Sequence, residues 1–299
     1  MHFKWGGKMK KILCFGINFI FSAIIFFGVS GCSKAFGKTS SGSTDSAPMA
    51  FSSAENAADN PELEKLDSVL SNMSERFLAT FSIPQGGEEI FLADLRKVLE
   101  SEKDFSSDDI SPFFLVDKKN FLPENYVPKN MIPLKKNDLY AITKNTLALR
   151  KEAYDALNRL AAAAKSDGVT LTVGSTYRSY EYQKNLFDYW VRVDGLEEAE
   201  RESSRPGTSQ HQLGLVLDFA PIEDEFAETK AGKWAEKNAA KYGWSLSFPK
   251  GYEDVTGYRW ESWHFRYVGI SAVQFQAKYF GDVQQFMIEF INAWKHWEN

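Results

Sequence analysis

Apolar positions along the chain fall into blocks of distinct period. In "PELEKLDSVLSNMSERFLATF", Leu63, Leu66, Leu70, Met73 and Phe77 recur every three or four residues, which predicts one helix from Pro61. "EEIFLADLRKVLES" predicts a second, shorter helix. "LALRKEAYDALNRLAAAAKSDG" repeats the helical spacing, and Gly168 stands where a C-terminal stop is expected. The period then changes. Val169, Leu171 and Val173 alternate with Thr170 and Thr172, the pattern of a half-buried strand. Helical spacing returns after Arg178 in "TYRSYEYQKNLFDYWV" and again in "KAGKWAEKNAAKYG", which Gly243 stops. "WSLSF" and "WHFRYV" read as strands, and "GDVQQFMIEFINAWKHWEN" as a terminal helix with an aromatic face. Helices and strands mix without strict alternation, so the expected fold is α+β, a mostly antiparallel central sheet flanked by helices.

The N-terminus has a different character. A basic start leads into an apolar stretch, Ile12 to Val29, followed by small residues before Cys32. That is the plan of a secretory signal peptide, and the stretch is shorter than the ~20 residues that span a bilayer comfortably. "VSGC", Val29 to Cys32, resembles a bacterial lipobox, in which the cysteine becomes the lipidated first residue. Residues 1–31 are therefore expected to be a signal peptide, and the body a membrane-anchored lipoprotein of the bacterial cell envelope, outside the cytoplasm. An uncleaved anchor is the alternative and gives the same side of the membrane. "MKKI" at Met9 offers a second start beside Met1. Residues 32–60, rich in Ser, Ala, Gly and Thr, read as a flexible tether. A helical segment, 61–108, and a main domain, 109–299, complete the expected organisation.

Charge and cysteine content narrow the classes. The chain of 299 residues carries 35 basic and 40 acidic side chains. Four of the lysines lie in the first 31 residues, leaving the rest at 31 against 40, or −9. A mildly acidic body lacks the electrostatic footprint of a nucleic-acid binder. The two cysteines, Cys14 and Cys32, both fall at the leader, so no disulfide is expected in the body. A monomer is expected.

Of four histidines, His2 lies in the leader and His296 on the terminal helix, which leaves His211 and His264 for chemistry. On a helix His211 and Asp218 would stand two turns, ~10 Å, apart. Gly214, the β-branched Val216 and the proline at 221 favour a strand instead. Asp218 then shares a face with Val216, and His211 sits on the turn entering the strand, with Gly214 leaving room between them. An aspartate ending an apolar strand is costly unless paired or coordinated. "WESWHFRYVG" adds His264 and, three residues earlier, Glu261. Two imidazoles and a carboxylate with a position open to water make a catalytic zinc arrangement, with Glu261 as the base. Each residue also has a structural alternative: core or capping histidines, a turn-capping Asp218, a solvated Glu261. Their joint occurrence favours the metal site.

"SQHQLGLVLD" matches the Ser-x-His-x-x-Gly-x-x-x-Asp signature of the zinc D-alanyl-D-alanine carboxypeptidase and dipeptidase family, the VanY/VanX type. "ESWH" resembles its Glu-x-x-His, "GSTYRSYEYQ" its "SGYRSYxxQ", and "WHFRYVG" its closing strand. The likeness runs from about Phe113 to Gly269. It implies a Hedgehog/DD-peptidase-like fold, Zn²⁺ on His211, Asp218 and His264, and Glu261 as general base and acid. It also implies that Arg178 holds substrate and polarises the scissile carbonyl, that Ser209 orients the turn or the substrate, and that Tyr177, Gln183 and Trp263 wall the pocket. The substrates implied are peptidoglycan stem peptides ending in D-Ala-D-Ala, or tetrapeptide stems if the chain is an L,D-carboxypeptidase. A non-catalytic peptidoglycan-binding lipoprotein is the contrasting class, disfavoured because every ligand and Glu261 are retained. The chain departs from the family pattern at Gln210 (usually Glu), Val216 (usually small) and Thr176 (usually Gly). A His-x-His zinc peptidase and a His-x-Asp iron oxygenase do not fit, because neither spacing occurs here.

Overall fold

The computed structural model describes residues 60–105, 108 and 110–297; the leader, Cys32 and nearly all of the tether lie outside them. Asn60 opens the first helix, α1 (Pro61–Ser71), by accepting a hydrogen bond from the Glu62 amide at 3.0 Å, with Pro61 in the first turn. The apolar spacing predicts one continuous helix here, but the chain breaks into α1 and α2 (Glu75–Leu78). The break is polar. Asn72 Nδ2 donates to the Ser68 carbonyl at 2.8 Å, and Ser74 Oγ accepts from the Phe77 amide at 3.1 Å, so side chains take over backbone bonds a helix would use.

After α3 (Glu88–Ser101), a small sheet pairs β1 (Met131–Pro133) with β3 (Ala148–Arg150), while β2 (Tyr140–Ile142) joins the main sheet. These strands have three residues each, too few for alternation to show in sequence. The "LALR" assigned to a helix therefore ends β3, and α4 (Lys151–Ser166) begins after it. Ala153, Ala156, Leu157, Leu160, Ala161 and Ala164 form its buried stripe. Four alanines let the helix axis lie close to the sheet.

The main sheet has the order β2-β4-β5-β7-β6, with β4 (Leu171–Ser175), β5 (Val216–Phe219), β6 (Trp244–Leu246) and β7 (His264–Tyr267). Only the β2–β4 pairing is parallel, so the sheet is mostly antiparallel, as expected. Between strands run α5 (Tyr180–Asp194), α6 (Leu196–Glu202), α7 (Lys230–Asn238) and α8 (Glu253–Thr256). The chain finishes with α9 (Ile270–Tyr279) and α10 (Gln284–Lys295).

Two apolar cores result. One lies between the sheet and α4 and α7, and includes Leu217, Phe219, Phe265 and Leu160. The other joins α1–α3 to α9 and α10 through Phe77, Phe91, Phe280 and Phe290. Its rings meet edge-on, Phe91 to Tyr279 at 4.8 Å and Phe77 to Phe286 at 5.4 Å, the arrangement the ring quadrupole favours. The helical segment 61–108 thus packs on the terminal helices.

Candidate metal centre and active site

Strand register builds the centre. Asp218 in β5 pairs directly with His264 in β7, so their side chains leave the sheet on one face. Leu217 and Phe265, the next pair, point the other way into the core. His211 arrives from a 3₁₀ turn, Gln210–Leu213, as the parity of the sequence requires. Gly214 ends that turn with φ +69°, a conformation that costs a side chain strain. A Cβ there would meet Met131 Sδ at 3.0 Å and Pro128 Cγ at 3.1 Å. Its role is therefore the sharp turn and the close approach of β1, and not the clearance between His211 and Asp218 expected from sequence.

The three side chains converge. His211 Nε2 lies 3.2 Å from Asp218 Oδ2, and His264 Nδ1 lies 3.1 Å from Asp218 Oδ1. One ligand atom from each falls within 4.8 Å of the others, and all three residues are buried. Yet His211 Nε2 and Asp218 Oδ1 are buried and make no hydrogen bond, so lone pairs face one another there. That donor set, neutral nitrogens and an anionic oxygen with unspent valence, fits a divalent ion such as zinc.

Surrounding groups fix the rings. His211 Nδ1 stands 2.7 Å from the Thr176 carbonyl, which requires its proton there and leaves Nε2 as the ligand atom. His264 Nε2 faces Gln210 Oε1 at 3.4 Å, and Gln210 Oε1 also accepts from Ser247 Oγ at 2.7 Å. Gln210, the position where the family pattern has an acid, thus stands behind a ligand rather than in the cavity. Phe248 packs against the His264 ring at 4.7 Å. Ser247 and Phe248 carry no motif signal of their own, and Thr176, although inside a motif, acts through its backbone carbonyl on a ring 35 residues away.

Electrostatics divides the two imidazoles. Burial, reinforced by the Arg178 guanidinium, lowers the His211 pKa to about 4. Burial also works against charge on His264, but the adjacent Asp218 and Glu261 carboxylates win and raise its pKa. Asp218 loses hydration too, yet the two imidazoles hold its carboxyl well below the usual range. In the metal-free protein His264 therefore keeps a proton above the usual ~6.5 of histidine. Metal binding must expel that proton. Zinc affinity is expected to fall as pH drops through the raised His264 pKa, by about tenfold per pH unit below it. His211 adds a penalty only near pH 4. Competition with a chromophoric chelator between pH 8 and 6 checks this; a flat profile would contradict it.

The centre opens into a cavity of about 630 Å³ whose lining includes Arg178, Tyr258, Trp263, Asp218, His264 and Glu261. Glu261 Oε2 is 3.3 Å from His264 Nδ1, beside the ligand cluster and outside it. Arg178 lies next to the sheet end, its amide donating to the His211 carbonyl at 3.4 Å. Burial lowers its pKa, Asp218 and Glu261 oppose that, and its Nε has no hydrogen-bond partner. Of the three residues expected to wall the pocket, Trp263 lines the cavity, and Tyr177 and Gln183 do not. Gln183 Nε2 donates to the Ser204 carbonyl at 2.7 Å and shapes the wall from behind. Ser209 caps the 3₁₀ turn, its Oγ accepting from the His211 amide at 3.3 Å.

Comparison with known proteins bears on what this arrangement is. The family profile described as VanY, D-alanyl-D-alanine carboxypeptidase, matches residues 146–270, which hold every residue of the centre. YodJ of Bacillus subtilis (strain 168) is 36% identical over 193 residues, 62% of this chain and 70% of its own. The chain belongs to the VanY D-alanyl-D-alanine carboxypeptidase family. A second VanY-type relative, the D-alanyl-D-alanine carboxypeptidase of Enterococcus faecalis (strain ATCC 700802 / V583), is 34% identical over 125 residues. That match spans 39% of this chain and 47% of the relative. Among solved structures, the LdcB LD-carboxypeptidase superposes with a TM-score of 0.52 at 35% identity, covering 59% of this chain and 86% of LdcB. VanY carboxypeptidases are zinc-dependent hydrolases, so the chain is a carboxypeptidase of that kind.

Proposed function

We propose that this carboxypeptidase holds zinc on His211, Asp218 and His264 and removes the terminal D-Ala of peptidoglycan stem peptides, with D-Ala-D-Ala ends as the main substrate. The observation that carries the reading is the convergence of three buried ligand atoms, two of them without a hydrogen bond, beside Glu261 in one cavity. Zinc, when bound, supplies a Lewis acid and brings the pKa of water close to neutrality. Glu261 takes the proton of the attacking water and returns it to the departing amine. Arg178, with a guanidinium nitrogen unspent on protein partners, offers planar charged donors to the oxygen of the scissile carbonyl as negative charge develops there. Trp263 and Tyr258 supply apolar walls against the small side chain of D-alanine.

A second reading, cleavage of the last D-Ala from tetrapeptide stems, is supported by the likeness to LdcB, an LD-carboxypeptidase. Incubating purified protein with defined pentapeptide and tetrapeptide stems, followed by mass spectrometry, separates them. The expected result is loss of one alanine mass from the pentapeptide, abolished by a chelator and restored by zinc. Cleavage of the tetrapeptide alone would transfer the assignment to the second reading, and cleavage of neither would overturn both. We further propose that lipidation of Cys32 anchors the protein in the cell envelope; that cysteine lies outside the described residues, and the support is the "VSGC" sequence.

A further inference from the structure

Three polar side chains outside the ligand set line up behind His264. With zinc held as proposed, His264 Nδ1, 3.1 Å from Asp218 Oδ1, is the ligand atom. The neutral ring then carries its proton on Nε2, toward Gln210 Oε1 at 3.4 Å. That fixes the Gln210 amide with its oxygen toward the ring. Ser247 Oγ lies 2.7 Å from the same oxygen and 3.2 Å from Gln284 Oε1. Gln210, Ser247 and Gln284 are all buried.

Gln284 is held in one orientation. Its Nε2 donates to the Ser245 carbonyl at 3.2 Å, which leaves Oε1 facing Ser247. It is the first residue of α10, and the start of that helix is fastened to β6 a second time. Ser245 Oγ donates to Gln276 Oε1 at 2.8 Å, and Gln276 Nε2 donates to Asp282 Oδ1 at 2.9 Å, between α9 and α10. Met287 and Phe290, further along α10, sit in the helical core. This helix lies beyond residues 146–270, the stretch the family profile matches. The Ser247 hydroxyl has one proton and two acceptor oxygens within reach. Turned to Gln210, it holds that oxygen in place behind the ligand. Turned to Gln284, it leaves Gln210 with the His264 N–H alone.

We propose that Gln284 is a positioning residue that lowers the zinc affinity of the centre by competing with Gln210 for the Ser247 proton. The partner behind a metal-bound imidazole sets the orientation and basicity of the ring, and its loss commonly costs about ten- to a hundredfold in affinity. The competition is unequal, since 2.7 Å is an ordinary O–H···O distance and 3.2 Å a long one. Gln284 therefore weakens the support from Gln210 without abolishing it. Through this contact a helix outside the matched stretch acts on a metal ligand it does not touch.

The test is the zinc affinity of the full-length chain, read by competition with a chromophoric chelator at one pH, with the Tm of the zinc-free protein as the control for folding. Gln284→Met keeps the length of the side chain and removes the acceptor, so zinc is expected to bind about threefold more tightly. Its zinc-free Tm should fall, because the Ser245 carbonyl loses a donor. Ser247→Ala should bind zinc about tenfold more weakly. The double variant should match Ser247→Ala, since without the hydroxyl there is no proton to compete for. A merely structural Gln284 would weaken zinc binding in both backgrounds. That result, or wild-type affinity in either single variant, would overturn the proposal. Should Gln284→Met not fold, Gln284→Asn withdraws the oxygen by one methylene and must shift affinity in the same direction; no change or weaker binding would overturn the proposal equally. A wild type that binds no zinc would overturn the metal assignment as well, which keeps the two failures distinguishable.

Discussion

Glu261→Gln is expected to lower kcat on a D-Ala-terminated stem peptide by about 10³-fold while zinc content stays stoichiometric. The substitution keeps the shape of the side chain, which is only 8% exposed, so the cavity wall is preserved. It removes the capacity to accept a proton. Because Glu261 stands outside the ligand cluster, its charge is not needed to hold the ion. Turnover and elemental analysis on the same preparation check both halves. Wild-type kcat would refute the proton-transfer role, and loss of zinc would make Glu261 a ligand.

Asp218→Ala is expected to remove zinc and turnover together. Asp218 carries the only formal negative charge within the cluster and touches both imidazoles, at 3.2 and 3.1 Å. Two neutral imidazoles without it leave the ion's charge uncompensated in a buried site. The loss must be distinguished from unfolding. Bound zinc stabilises the native state by about 2.7 kcal/mol at a hundredfold excess over Kd. Chelation should therefore lower the Tm of the wild type and leave that of Asp218→Ala unchanged. A variant that still melts cooperatively but no longer responds to chelator is the predicted outcome. One that keeps its zinc would contradict the assigned ligand set.

How far the site was legible depended on what each residue's role rests upon. His211, Asp218, Glu261 and His264 carry their chemistry in residue type and local spacing. The β5–β7 register that joins Asp218 to His264 is the one long-range fact they need. Thr176, Gln210 and Ser247 act through contacts between segments 35 to 54 residues apart, which no local period encodes. Tyr177 and Gln183 do not line the cavity for the opposite reason. A motif marks them as belonging together, but the direction of each side chain is set by the turn or helix that carries it. At the level of the fold, long helices such as α4 and α10 followed from apolar spacing. The short strands β1–β3 and the break between α1 and α2 did not, since three-residue pairing and side-chain capping leave no periodic trace.

Zinc K-edge X-ray absorption on the purified protein, loaded with one equivalent of metal, tests the central claim most directly. The account predicts a first shell of nitrogen and oxygen only, at about 2.0–2.1 Å, with outer-shell scattering from two imidazoles. Loss of one imidazole contribution is predicted in His211→Ala. A spectrum showing sulfur, a hydrated ion without imidazole scattering, or no change in that variant would contradict it.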